Sequence, residues 1–182
     1  MKFTKTELPD VYIIEPYTFA DERGVFRKTY QDAFFKEGGI HISIEESFYT
    51  VSGKNVIRGM HFQMPPFDYC KVVYVTEGVI HDVILDLRRN SPTYAKYISV
   101  QLSSENGKQV YIHKGFAHGF AVLSDRATVT YLQTTVHSAE HDSGIRWNSF
   151  GMNWGIKDPI LSDRDRNFPA LQEFESPFLY KG

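Results

Sequence analysis

Cysteine is nearly missing from this 182-residue chain: Cys70 stands alone, so no internal disulfide can staple the fold and packing must hold it. Lys71 beside it could activate the thiol, yet a single cysteine in an apolar strand is expected to be packing. Also absent is any apolar run long enough to span a bilayer. The charged opening Met1-Lys2-Phe3-Thr4-Lys5-Thr6-Glu7 lacks a secretory apolar region, so a cytoplasmic protein with no membrane partner is expected. Neither sign of charge dominates. Lys and Arg number 20 against 22 Asp and Glu, a formal net charge of −2, which argues against a nucleic-acid partner. No Gly-rich phosphate loop or dinucleotide fingerprint occurs, so a bound nucleotide would be a handle, neither phosphoryl donor nor redox cofactor. Repeats, low-complexity tracts and linkers are missing too, which predicts one domain over residues 1–182.

What the chain has in quantity is aromatic side chains. Its 14 Phe and 11 Tyr are scattered without helical spacing, a distribution suited to strands and stacking pockets. Short runs rich in Val, Ile, Tyr and Thr at 72–75, 79–87, 97–102, 109–113, 119–123 and 128–134 predict strands. Turn signals separate them, among them Glu77-Gly78, Asn90-Ser91-Pro92, Glu105-Asn106-Gly107 and Lys114-Gly115. Ile98, Val100 and Leu102 alternate with Tyr97, Ser99 and Gln101, which predicts one core face and one wetter face. Only 31–37, closed by Gly38-Gly39, reads as a helix. The tail after Asn153 predicts an ordered loop or irregular cap. The fold class expected is all-β, a jelly roll with short helical and irregular C-terminal segments.

His61 is the leading candidate for chemistry, because an imidazole titrates near neutrality and can act as a general base. In Arg58-Gly59-Met60-His61-Phe62-Gln63 an arginine is expected on a neighbouring turn, and Lys71 one strand away. Such neighbours can hold anionic groups while the base removes a proton, which is equipment for making an enolate. Asp82 and Asp165 are both candidates to orient the ring, and the sequence leaves open which one touches it. Lys71 interrupts an apolar strand, where a buried ammonium without a partner is costly. It should face a polar cavity, where it could stabilise an enolate oxygen, or lie on a solvated edge. Tyr131 should share a face with Val129 and Gln133, and a phenol in a pocket could return a proton to a carbanion from the other side. Arg58 and Arg23 could clamp a diphosphate, with Phe26 stacked on a base. No metal is expected: Gln63 stands at the alternate position after His61, and Lys71 would oppose a cation even if His113 and His118 joined.

These segments, with Asp82-Val83-Ile84-Leu85-Asp86-Leu87-Arg88-Arg89-Asn90-Ser91-Pro92-Thr93, Gly115-Phe116-Ala117-His118-Gly119-Phe120 and Ile160-Leu161-Ser162-Asp163-Arg164-Asp165, resemble the dTDP-4-dehydrorhamnose 3,5-epimerase family over almost the whole chain. The resemblance implies a cupin-type jelly roll, a homodimer, no metal or cofactor, and a nucleotide-linked 4-keto-6-deoxyhexose as substrate. It implies His61 as base, Asp165 as its partner, Lys71 as enolate stabiliser and Tyr131 as acid. Arg58, Gln63, Asp82 and His118 would line the sugar and phosphate pocket. Asp21-Glu22-Arg23-Gly24-Val25-Phe26 would reach the nucleotide from the partner subunit, bringing Arg23 and Phe26. A ketone at C4 acidifies the hydrogens on C3 and C5, so one base could serve both carbons.

Some positions depart from the family pattern. Lys28 stands where the family has glutamate, Glu46-Ser47-Phe48-Tyr49-Thr50 replaces Gln-Asp-Asn-His-Ser, and His137 replaces a second pocket tyrosine. Asp142 and Arg164 replace a glutamate and a lysine, keeping charge but altering reach. Glu46, His137, Asp142 and Arg164 are therefore substrate-binding candidates that bear on the nucleotide carrier. The alternatives are an epimerase acting at one carbon or on a CDP- or GDP-linked sugar, a sugar-nucleotide 3,4-ketoisomerase, and a cupin-like binding protein without turnover.

Overall fold

The computed structural model describes residues 1–182. In chain order the strands are β1 (Lys2–Lys5), β2 (Val11–Glu15), β3 (Tyr17–Asp21), β4 (Gly24–Lys28), β5 (Glu46–Gly53), β6 (Ile57–Gln63) and β7 (Lys71–Glu77). They continue as β8 (Val79–Asp86), β9 (Tyr97–Ser103), β10 (Gln109–Ile112), β11 (Phe116–Val122), β12 (Arg126–Gln133) and β13 (Asp142–Gly144). Helix α1 (Asp32–Glu37) precedes β5, and α2 (Asp163–Asn167) follows β13.

Two antiparallel sheets form a jelly roll. One runs β1-β2-β10-β7-β12-β5 and the other β13-β6-β11-β8-β9. Along β12, buried Ala127, Val129, Tyr131 and Gln133 alternate with half-exposed neighbours, the period-two pattern of a strand with one face inside. Val73, Val75, Val110, Ile112 and Val129 of the first sheet meet Ile80, Ile84, Leu102, Phe120 and Val122 of the second in the central core. The alternation expected along β9 holds: Leu102 is buried, Ile98 and Val100 pack against this core, and Ser99 and Gln101 are exposed.

β11 is buried at every position, because the outer face of its sheet is covered as well. There Met60, Phe62, Leu85 and Leu87 pack under Trp154, Phe178 and other residues of the C-terminal tail, which is the cap expected after Asn153. On the outer face of the six-stranded sheet, α1 inserts Phe35 against Ile14, Val72 and Tyr111, with Cys70 beside them.

Two expectations need correction. Arg58 lies on the same strand as His61, not on a neighbouring turn. A second helix, α2, also forms in the tail. It is too short to show helical periodicity, and its start rests on one cap, the Ser162 hydroxyl accepting from the Asp165 amide at 3.1 Å.

Candidate active site

Two glycines set the geometry. Where β6 pairs with β11, His61 lies opposite His118 and Arg58 opposite Phe120, so three steps along β6 match two along β11. This bulge turns Arg58 and His61, which odd spacing would send to opposite faces, toward one cavity. Gly59 has φ +141°, and a Cβ on it would stand 2.5 Å from the Gly119 Cα; a Cβ on Gly119 would stand 2.8 Å from the Arg58 carbonyl oxygen. The motifs around His61 and His118 are two sides of one close backbone contact.

The cavity has an inner and an outer chamber. The inner, of about 140 Å³, is lined by Thr50, Arg58, Lys71, His118 and Tyr131. The outer, of about 430 Å³, is lined by Glu46, Gln63, His137, Asp142 and Arg164. His61, Phe48, Tyr69 and Gln133 border both. His61 also borders a third hollow toward α2, so its ring is reachable from more than one side.

Two of the chamber histidines, His61 and His118, are each backed by an aspartate. His61 Nε2 lies 2.8 Å from Asp165 Oδ1, and the Gly59 amide donates to Asp165 Oδ2 at 3.1 Å. Burial alone would raise the Asp165 carboxyl; the hydrogen bonds and charge of His61, the Gly59 amide and the Ser162 cap outweigh it and hold it below its ordinary value. An ionised carboxylate only accepts, so the His61 proton sits on Nε2 and Nδ1 keeps a basic lone pair. The edge of Phe168 packs on the same ring, centroids 5.8 Å apart. Deeper in, His118 Nε2 lies 2.7 Å from Asp82 Oδ2. Burial, joined by the Lys71 charge, lowers the His118 pKa against the pull of Asp82.

Lys71 occupies an interior strand and is 4 % exposed, so it is not a solvated edge lysine. Its ammonium lies 4.8 Å from the Tyr69 ring centre, and no carboxylate forms an ion pair with it. Burial pushes its pKa down to about 8, with Asp82 and Asp142 resisting. Tyr131 stacks on Phe48 with ring centres 4.7 Å apart, and burial raises its phenol, keeping it protonated at neutral pH.

The rim is held by polar contacts. Gln63 spends its amide on backbone, donating to the Phe67 carbonyl at 2.7 Å and accepting from the Ser138 amide at 2.6 Å, so it braces the rim loop. Arg164 pairs with Asp142 across the outer mouth, its Nε 3.6 Å from Asp165. Arg58 donates to Ser52 Oγ at 2.9 Å through Nε, leaving its two terminal nitrogens free.

Most of the residues named from the sequence therefore meet: Glu46, Arg58, His61, Gln63, Lys71, His118, Tyr131, His137, Asp142 and Arg164 line the chambers, with Asp82 and Asp165 behind the histidines. Both candidate aspartates face an imidazole, and Asp165 is the one on His61. Arg23 and Phe26 do not join them. They sit on the separate β3–β4 hairpin, Arg23 exposed and paired with Asp21 at 2.6 Å, Phe26 exposed. Lys28, at the end of that hairpin, donates to Gln31 at 2.9 Å. His113 lies apart too, lining a surface cavity with Arg88 and Lys114. Tyr69 and Phe168 were not singled out from sequence. Tyr69 stands two residues before Lys71, and strand parity would have placed both on one face; Phe168 carried no such signal.

The sequence model described as dTDP-4-dehydrorhamnose 3,5-epimerase matches residues 5–173. A dTDP-4-dehydrorhamnose 3,5-epimerase of Shigella flexneri is 41% identical over 170 residues, covering 92% of this chain and 94% of its own. Among solved structures, the Legionella pneumophila dTDP-6-deoxy-D-glucose-3,5-epimerase in complex with dTDP-4-keto-L-rhamnose superposes with a TM-score of 0.94 at 32% identity, covering 100% of this chain and 99% of that one. A Bacillus anthracis dTDP-4-dehydrorhamnose 3,5-epimerase with TDP and pyrophosphate bound gives a TM-score of 0.91 at 38% identity, covering 93% and 98%.

Proposed function

Because the chain belongs to the dTDP-4-dehydrorhamnose 3,5-epimerase family, we propose that it inverts C5 and then C3 of dTDP-4-dehydro-6-deoxyglucose, yielding dTDP-4-dehydrorhamnose. One observation carries the reading: His61, Lys71 and Tyr131 border a single small chamber, with Asp165 fixed behind His61.

In this scheme His61 Nδ1 takes the hydrogen next to the ketone. The electron pair of the broken C–H bond forms a C=C bond and moves charge onto the ketone oxygen, and Asp165 stabilises the resulting imidazolium. The Lys71 ammonium stabilises that enolate oxygen; its lack of a carboxylate partner leaves the charge available. Tyr131 gives its phenolic proton to the carbon from the opposite face, the enolate electrons reform the ketone, and the centre is inverted. His118 keeps its Nε2 proton on Asp82, so its neutral Nδ1 serves as an acceptor for a sugar hydroxyl. Arg58 and Arg164 hold the diphosphate.

We further read the protein as a homodimer. The exposed Tyr17, Phe19, Val25 and Phe26 of the β3–β4 hairpin support docking on a second copy, where Arg23 and Phe26 would reach its nucleotide. A single unpaired thiol supports a reducing, cytoplasmic setting.

The test is turnover in deuterated water. Deuterium at both C3 and C5 is the expected result, and a substrate unlabelled at both carbons would sink the proposal. Label at one carbon only, or only with a CDP- or GDP-linked ketosugar, would move the reading to the narrower epimerase that Lys28, Glu46 and His137 leave as the alternative. A 3-keto product seen by NMR would make it a ketoisomerase.

A further inference from the structure

Lys71 puts an ammonium group into an apolar wall, and a buried cation without compensation close by is costly. The carboxylates around it are engaged or set apart: Asp82 of β8 is on His118, Asp142 of β13 is on Arg164, and Glu46 of β5 lies in the outer chamber. From β6 come His61 and the cation Arg58, from β11 His118 and from β12 Tyr131, and none of these brings a negative charge. The group that lies against the ammonium is Tyr69. Its phenol oxygen is 3.5 Å from Lys71 Nζ, and its ring centre 4.8 Å.

The backbone fixes this contact. Tyr69 precedes Lys71 by two residues, and extended backbone turns both toward one face. Cys70 between them is pinned to Thr134 from both sides: its amide donates to Thr134 Oγ1 at 2.9 Å, and its carbonyl accepts from the Thr134 amide at 3.1 Å. The pairing of β7 with β12, in which Lys71 stands opposite Gln133, thereby continues one residue beyond the strand. Upstream, Gln63 braces the Phe67 carbonyl, and the Phe67 ring packs on His141 with centres 4.5 Å apart. Tyr69 is thus held where the two chambers meet. A ring face attracts a cation through its quadrupole and leaves the charge uncancelled. A carboxylate in the same place would hold the ammonium harder, but it would compete with a developing enolate for it.

We infer that Tyr69 is the positioning residue for Lys71: its ring and phenol oxygen hold the ammonium at the junction of the two chambers and leave its positive charge free to act. Burial raises the Tyr69 phenol, so the group in contact with the ammonium stays neutral. The part Tyr69 plays in turnover rests on the reading above that Lys71 stabilises the enolate; its hold on the ammonium does not.

The hold is measured by NMR titration of the full chain labelled at the lysine Cε carbons, with the Lys71 signal assigned as the one missing from Lys71→Met. Wild type is compared with Tyr69→Phe and Tyr69→Leu, each first checked by thermal melting; Tyr69→Met, which also lacks the ring, serves if the leucine variant does not fold. The Lys71 midpoint, about 8 in wild type, should fall by about half a pH unit or more in Tyr69→Leu and by less in Tyr69→Phe, which keeps the ring. A midpoint that stays put or rises without the ring overturns the inference. Turnover then tests the purpose of the hold. Tyr69→Leu should lower kcat about tenfold with KM little changed, and the alkaline limb of its pH profile should move down with the NMR midpoint. In a Lys71→Met background the same substitution should cost nothing further. A loss that persists in full there would mean that Tyr69 acts on the substrate or the fold, and the positioning role would fall. Undiminished turnover in Lys71→Met would sink the enolate reading alone, and the midpoint would still judge the hold of Tyr69 on the ammonium.

Discussion

The two histidine–aspartate pairs are nearly identical in contact geometry and opposite in surroundings. Nε2 meets the carboxylate at 2.8 Å in His61–Asp165 and at 2.7 Å in His118–Asp82, but the His61 side chain is 26 % exposed and that of His118 only 3 %. A ring that must pick up a proton and later lose it to water needs the first setting. A ring sealed beside a buried ammonium is held neutral and suits accepting a hydrogen bond. Burial, more than the hydrogen bond, therefore separates the ring proposed as base from the ring proposed to bind.

The sharpest way to break this comparison is to remove each ring. His61→Ala should lower deuterium exchange at C5 on the order of 10⁴-fold, the upper range for a lost general base, and His118→Asn on the order of 10²-fold or less. Equal losses, measured by NMR in deuterated water, would mean that exposure does not assign the roles. Next in size is Lys71→Met. Turnover should fall on the order of 10²- to 10³-fold, while urea denaturation at pH 7 shows a fold more stable by about 1 to 3 kcal/mol, since a buried unpaired charge gives way to apolar packing. A less stable variant would mean that the ammonium is paired in the free protein. Tyr131→Phe should be milder on proton removal than on inversion: label still enters at C5, while inverted product falls by about 10²-fold or more. Parallel losses would deny the phenol its place as the acid.

The smallest effect is in pH. Lys71 has a folded-state pKa of about 8 against an ordinary value of 10.5, so the folded chain sheds this proton first. Below pH 8 the buried charge weighs fully against folding, and its cost is relieved as pH rises from about 8 to 10.5, where only the unfolded chain still holds the proton. Activity runs the other way: turnover should decline as pH climbs through about 8, because the ammonium that the proposed mechanism sets against the enolate is lost. Lys71→Met, having no such group, should lack that limb of the profile.

Much of this could be read before any coordinates. Strands β7 to β10 and β12 carry dense Val, Ile and Tyr runs, and the residues that meet in the chambers stand in motifs of recognisable order. The strands before β7 escaped the pattern. β5 opens on Glu46 and β6 is interrupted by Arg58 and His61, polar residues that line the cavity and that strand propensity does not favour. Arg58 looked like a turn residue beside Gly59, because nothing in one strand announces a bulge that depends on the Gly119 backbone across from it.

Composition, turn spacing and the motifs around His61, Lys71, His118 and Asp165 by themselves determined the all-β class and the family, since these rest on local pattern and residue order. Only the tertiary structure decided which aspartate holds which histidine, which ring stays wet, and that no carboxylate forms an ion pair with Lys71. Those are matters of distance and burial between segments as far apart as 104 residues, from His61 to Asp165, and a linear pattern carries no record of them.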